Sequence, residues 1–150
     1  MTIHPGVRYR DGDVSIGAPP PDTEAHLPLG ANEWVRAAPS HADMYYFVVY
    51  DDERPVGYIL LHDIDQQTGE SLIGYALAVP SDRGRGLGTK ALGLLQLFVR
   101  DATRLTTLII ITSRDNEASQ RIAVKCGFLH TGPSREDPLN GMVFEWVVRR

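Results

Sequence analysis

Cysteine is nearly missing from this chain: Cys126 is the single one among 150 residues. One cysteine cannot close an internal disulfide, and a cysteine-based zinc site is excluded with it. Paired metal ligands are lacking too. The five histidines, His4, His26, His41, His62 and His130, are scattered without ligand spacing, so no metal is expected. An excess of basic charge is also absent. The formal net charge is −4, which argues against a general nucleic-acid binder. No apolar run approaches the length of a membrane span, and the opening residues lack the basic stretch and apolar run of a signal peptide. Internal repeats and low-complexity blocks are missing as well. What remains is a chain of single-domain length, large enough for a real core and expected in the cytoplasm.

The least regular stretch runs from Ala18 to Pro39, where prolines concentrate. Pro19-Pro20-Pro21 breaks any strand entering it. Asp22 is placed to cap a short helix through His26 and Leu27, and a second short helix is expected around Trp34 and Val35. Met44 to Tyr50 is aromatic and β-branched, a strand signal. Asp51 to Pro55 reads as a polar turn into a second strand, Val56 to His62. After the polar connection Asp63 to Ser71 comes a third strand, Leu72 to Val79. In it Ile73, Tyr75, Leu77 and Val79 alternate with Gly74, Ala76 and Ala78, so the small residues share one face and let a ligand or another element approach the backbone.

A helix is expected from Gly86 to about Asp101, because Leu87, Ala91, Leu94, Leu95 and Phe98 recur at three- and four-residue spacing. Leu108-Ile109-Ile110-Ile111 suits a strand covered on both faces, as in a parallel pair. Asn116 to Cys126 reads as a second amphipathic helix with Ala118, Ile122 and Cys126 on one stripe and Gly127 as its left-handed cap. Phe128 to Thr131 and Val143 to Val148 are read as strands. Helices that interrupt a mostly antiparallel run define an α+β, or mixed α/β, domain over residues 1–150.

The chemistry concentrates in Arg83-Gly84-Arg85-Gly86-Leu87-Gly88-Thr89, between a strand and a helix. A helix start carries free N–H groups and partial positive charge, and glycines let a diphosphate reach them. Arg83 and Arg85 add charge-assisted bonds; the plainer alternative is a glycine-rich turn with two solvated arginines. A P-loop requires Lys and then Ser or Thr after its last glycine, but Thr89-Lys90 follow Gly88 and the spacing differs. A dinucleotide fingerprint needs its third glycine at 89 or 91, where Thr89 and Ala91 stand. Ala91 is an allowed variant, and Asp115 mimics the ribose-binding acid. The few strand–helix units left in the chain weigh against that fold, and NAD binding is the test of it.

Arg83-x-x-Gly86-x-Gly88 resembles the acyl-CoA loop of the GNAT acetyltransferase superfamily. Ile73-Gly74-Tyr75, Pro80, Asn116-Glu117-Ala118-Ser119 and Lys125-Cys126-Gly127-Phe128 are similar to that family too. The resemblance implies a mostly antiparallel sheet with a splayed parallel pair, flanked by helices, and acetyl-CoA as cosubstrate. The pantetheine arm would pair with the backbone of Ala78 and Val79. Amides from Arg83 to Thr89 (Arg83, Gly84, Arg85, Gly86, Leu87, Gly88, Thr89) would bind pyrophosphate, Asn116 and Ser119 would face the pantetheine end, and Arg121 and Lys125 would reach the nucleotide phosphates. Asn116 also reads as a plain helix N-cap.

The implied reaction is direct attack of a primary amine on the thioester, with backbone N–H groups stabilising the oxyanion and an acid for the leaving thiolate. Many family members use a Tyr for that acid at the position of Ala123. Ser119 is the substitute here, and Glu70 is the base taken from the set His62, Asp63, Asp65 and Glu70. Tyr75 is read as core or substrate wall, and Trp34, Tyr45 and Tyr46 as core or cleft lining. The missing Tyr leaves a non-catalytic acyl-CoA-binding module of the same fold as the alternative. The expected partner is a small-molecule or peptide amine, with no nucleic acid and no membrane; a homodimer is allowed for.

Overall fold

The computed structural model describes residues 8–18, 44–77 and 86–150. The short helices expected between Asp22 and Val35, and Trp34 with them, lie outside the described residues. The described elements are β1 (Arg8–Asp11), β2 (Val14–Gly17), β3 (Tyr45–Asp51), β4 (Arg54–Asp65), β5 (Glu70–Leu77), α1 (Leu87–Ala102), β6 (Thr107–Ser113), α2 (Glu117–Lys125), β7 (Leu129–Pro133) and β8 (Gly141–Val147).

They form one sheet in the order β1-β2-β3-β4-β5-β6-β8-β7. Every neighbouring pair is antiparallel except β5 and β6. The parallel contact is short: Glu70, Ser71 and Leu72 pair with Thr107, Leu108 and Ile109, and the ladder stops there. Beyond it β5 stays paired with β4 as far as Leu77, while β6 pairs with β8 along its whole length. The two strands therefore diverge, and a gap opens in the sheet beyond Leu72 and Ile109. This is the mixed α+β architecture expected.

Helix α1 seals one face of the sheet. Its stripe of Leu87, Ala91, Leu92, Leu94, Leu95, Phe98 and Val99 is buried. Phe98 sits at the centre, edge-on to Phe47 (4.8 Å between ring centres), Tyr45 (5.2 Å) and Tyr9 (5.9 Å), a geometry favoured by the ring quadrupoles. Tyr45 is thus core. Tyr46 belongs to the opposite face, buried with Met44, Val48, Tyr50 and Leu60 and stacked on Tyr58.

Three expectations change in detail. The first strand expected ahead of Ala18, from about Val14, is instead a hairpin, β1–β2, turning at Gly12 with φ of 62°. The apolar run in β6 is not covered on both faces: Leu108 and Ile110 are buried, but Ile111 is 49% exposed. Only three residues of β6 pair in parallel, so the burial that a parallel strand enjoys does not extend along it. In α2 the residues turned inward are Ser119 and Ala123, one position on from the expected stripe of Ala118, Ile122 and Cys126. Ala118 is exposed, whereas Ile122 and Cys126 pack at the core's edge.

Replacing Phe98 with Ala removes the ring against which three strand aromatics close. We expect a loss of about 3–5 kcal/mol, the range for deleting a buried aromatic side chain, measured as a lower urea midpoint. A change below about 1 kcal/mol would mean that α1 is not held by this cluster.

Candidate functional site

On the β5 side of the gap, past the end of the parallel ladder, lies a cleft of about 370 Å³, lined by Tyr75 to Leu77 of β5, Val49 and Tyr58 of the neighbouring strands, the first turns of α1, and α2 with its cap. Gly86 precedes α1 in the left-handed region, φ 78° and ψ 8°, and caps the helix with no side-chain hydrogen bond. The first bond of the helix runs from the amide of Lys90 to the carbonyl of Gly86. The amides of Leu87, Gly88 and Thr89 therefore have no acceptor within the helix. The first turn carries no acidic residue, so the positive end of the helix is not neutralised from within it.

Two glycines keep the cleft open. A Cβ on Gly86 would meet nothing within 4 Å among the described residues, while one on Gly88 would lie 2.8 Å from Ile122 Cδ1. Gly88 is thus where the two helices touch. Farther in, a Cβ on Gly57 of β4 would collide with the carbonyl oxygen of Ala76, so only glycine allows these strands to pair beside the gap.

Helix α2 supplies the other wall. Asn116 caps it, its Oδ1 accepting from the amide of Ser119 at 3.1 Å, so the plain N-cap reading holds. Asn116 lines the cleft as well. Ser119 is 8% exposed, and its Oγ lies 2.7 Å from the Tyr75 hydroxyl, which also donates to the Ser119 carbonyl at 3.4 Å. Burial pushes the Tyr75 phenol above its ordinary value; the hydrogen bond with Ser119 opposes this and the nearby Cys126 adds to it. Tyr75 therefore stays protonated through the neutral range, a donor that joins the two walls of the cleft. Burial also raises the Cys126 thiol, which donates to the Thr89 carbonyl at 3.4 Å.

Of the residues singled out in the sequence, Gly86, Leu87, Gly88, Thr89, Asn116, Ser119, Arg121 and Lys125 are brought together around the cleft. Arg121 also approaches Glu117 at 3.9 Å on the exposed face. Ala78, Val79, Arg83, Gly84 and Arg85 lie outside the described residues. Glu70 is not brought to the cleft. It begins β5, paired with Thr107, five residues or roughly 16 Å along the strand from Tyr75. Asp115 is exposed in the turn before α2, and a single parallel junction is no doubly wound sheet.

The pairing of Tyr75 with Ser119 is the feature sequence reasoning missed. The alternation along β5 put Tyr75 on the large-residue face, but only the fold shows which side chain it meets. Among the described residues, no group of three or more potential ligands could hold a metal, and no helix is long and apolar enough to cross a membrane.

Residues 7–129 match the acetyltransferase (GNAT) domain family. The chain belongs to that family. A relative from Bacillus subtilis (strain 168), named Putative ribosomal N-acetyltransferase YdaF, is 32% identical over 92 residues; the match spans 61% of this chain and half the length of that relative. Among solved structures, the Microcin C7 self-immunity acetyltransferase MccE, in complex with acetyl-CoA and AMP, is similar with a TM-score of 0.75 at 15% identity over 92% of this chain and 94% of its own. The ribosomal-protein-S5-alanine acetyltransferase from Vibrio fischeri gives a TM-score of 0.75 at 14% identity over 95% and 97%. At such identities the structures establish a shared fold.

If the hydroxyl pair couples β5 to α2, removing Ser119 Oγ leaves the phenol only its longer bond to the Ser119 carbonyl. Ser119→Ala should cost about 0.5–1.5 kcal/mol, the net worth of one hydrogen bond, and Tyr75→Phe should cost less in that background than alone. A double-mutant cycle in urea tests this; additive losses would show that the two hydroxyls are not coupled.

Proposed function

We propose that the protein is an acetyl-CoA-dependent N-acetyltransferase, a single GNAT-like domain over residues 1–150 that transfers acetyl directly to a primary amine. The observation that carries this reading is the divergence of β5 and β6 into a cleft that ends on the uncapped amides of α1. A thioester on a slender arm needs a slot through the sheet, and a diphosphate needs a helix start with open space before it. The cleft supplies both, and Arg121 and Lys125 line it with positive charge.

Each residue has a task in this reading. The amides of Leu87, Gly88 and Thr89, together with Arg83 to Gly86, hold pyrophosphate. Asn116 fixes the start of α2 and faces the pantetheine, and the backbone of Ala78 and Val79 is assigned to pair with that arm. Ser119 stands where the leaving thiolate needs a hydrogen bond. Its hydroxyl is too weak an acid for full proton transfer alone; when the Tyr75 proton turns to Ser119 Oγ, the pair becomes a stronger donor. The pair takes over from the tyrosine that Ala123 replaces, which favours an enzyme over a binding module. Relatives named for ribosomal substrates make a protein or peptide amine the first acceptor to try, with polyamines, aminoglycosides and amino acids beside it.

A ligand that binds only the folded state raises its stability by about 2.7 kcal/mol at a hundredfold excess over Kd. For a chain of this size that is a shift of roughly 5–10 °C in Tm. Acetyl-CoA should give such a shift and NAD none. Gly86→Glu should abolish it by filling and charging the cradle. Lys125→Gln, on an exposed face, should weaken binding while lowering the unliganded Tm by no more than the loss of one helix-end cation, about 0.3–1 kcal/mol. An unchanged Tm at millimolar acetyl-CoA would sink the proposal.

A further inference from the structure

The cleft touches both faces of β5. Tyr75 and Leu77 line it from the face that carries α1 and α2, and Ala76 lines it from the other. Successive residues of a strand point to opposite faces, so the cleft reaches through the sheet where β5 has left β6. The helix side is the cationic one, because Arg121 and Lys125 of α2 line it there. Its Tyr75 and Ser119 hydroxyls are already bonded to each other at 2.7 Å. An ammonium approaching from that side is repelled by both cations. On the other side, Ala76 is joined by Tyr58. Among the described residues, the lining of that side carries no charge.

Tyr58 belongs to β4, which lies on the far side of β5 from the gap. Its ring lines the cleft because the strand it must cross is low on that face. Tyr58 and Ala76 are register partners, and Gly74, opposite Leu60, is the next residue of β5 on the same face. From the side away from β5, the Tyr46 ring stacks on Tyr58 with 6.1 Å between ring centres and 18° between planes. Tyr46 is itself buried with Val48, Tyr50 and Leu60, so this support is part of a packed cluster. Burial pushes the Tyr58 phenol above its ordinary value, and the group stays protonated through the neutral range. Unlike the Tyr75 hydroxyl, that of Tyr58 makes no hydrogen bond among the described residues. A half-buried phenol beside a cleft, with its bonding capacity unused, is equipped to bond a ligand.

We propose that Tyr58 is the residue that receives the acceptor amine: its phenol oxygen accepts a hydrogen bond from the amine N–H, and its ring, backed by Tyr46, is the wall against which the acceptor lies. The inference rests on the acetyltransferase reading above and assigns the acceptor to the face of the sheet away from α1 and α2. An uncharged acceptor of hydrogen bonds suits this task better than a carboxylate. A carboxylate would favour the ammonium form, whose nitrogen has no lone pair to attack with. A phenol oxygen holds one N–H of the neutral amine and leaves the lone pair directed elsewhere, toward the thioester. The π electrons of the ring also attract the cation before it loses its proton. Tyr58 is therefore a binding and specificity residue, and the Tyr75–Ser119 pair keeps its separate task at the sulfur.

The test separates the KM for the acceptor from that for acetyl-CoA. Coenzyme A release is followed with Ala-Gly-Gly-amide, spermidine, kanamycin and lysine, and the best of these serves as acceptor. Tyr58→Phe keeps the wall and removes one hydrogen bond, so the acceptor KM should rise about 10-fold. Tyr58→Leu removes the wall as well, and the rise should reach roughly 30-fold or more, as for a central aromatic contact. In both, kcat should stay within about threefold, because a contact made equally in the ground and transition states moves KM alone. The KM for acetyl-CoA and its shift in Tm should be kept, and that shift also reports that each variant is folded. An acceptor KM for Tyr58→Phe within about twofold of the unmodified protein overturns the proposal, whatever Tyr58→Leu does. So does an equal rise in the KM for acetyl-CoA, which would put Tyr58 on the coenzyme side. So does a fall in kcat at unchanged KM, which would put the phenol on the reacting carbonyl. No coenzyme A release by the unmodified protein with any of the four amines overturns the acetyltransferase reading and this proposal together.

Discussion

The site depends on a parallel junction that is only three residue pairs long. Glu70 to Leu72 meet Thr107 to Ile109, and then each strand follows a different antiparallel partner. Were β5 and β6 paired along their full length, their backbone groups would satisfy each other and no slot would exist. Because they part, the inner edge of each carries amides and carbonyls without a sheet partner, and such groups seek an acceptor or donor from elsewhere. The closed end is fixed by the connections: the amides of Thr106 and Thr107 both donate to the carbonyl of Gly69, at 2.8 and 3.1 Å. The open end is set by two helices that touch at Gly88 and Ile122. The gap is thus a wedge with a pinned apex and a braced mouth.

The brace is polar where a core would ordinarily be apolar. Tyr75 and Ser119 face each other at 2.7 Å across the two walls, and Ala123 beside them in α2 is fully buried. Many members of the family place a tyrosine on the helix at that position. Here the phenol comes from the strand, and the small alanine fills the helix position. The exchange keeps a hydroxyl near the mouth of the wedge but changes its chemistry: the serine stands at the helix start, where partial positive charge favours a developing anion, and the tyrosine acts through it. That arrangement suits stabilisation of a leaving thiolate better than outright protonation of it.

Much of this was readable from residue order. The glycines at 86 and 88, the apolar stripe through Phe98, the Asn116 cap and the left-handed Gly127 are local features set by dihedral and helix-end chemistry, and each appears where the sequence put it. The misreadings are non-local. Counting four-residue steps in α2 chose Ala118 over Ser119, because a polar residue was not expected to turn inward until a partner in β5 existed for it. The β6 run looked doubly covered because composition does not reveal how far a parallel pairing extends. Glu70 was chosen because it is acidic and near a strand end; the register puts it in the closed end of the wedge, paired with Thr107.

The two faces of the sheet consequently divide the work. Everything suited to phosphate, pantetheine and sulfur (the α1 amides, Asn116, Ser119 and Tyr75) approaches from the helix side. The other face carries Tyr58, stacked on Tyr46, and the row of His62, Leu72, Ile109 and Glu145. The small residues at 74 and 76 keep the opposite face of β5 low beside the cleft that Ala76 lines. The alternation first noticed in β5 therefore has a double consequence. Its large members build the wall that holds the hydroxyl pair, and its small members leave the opposite face of the strand uncrowded beside the cleft.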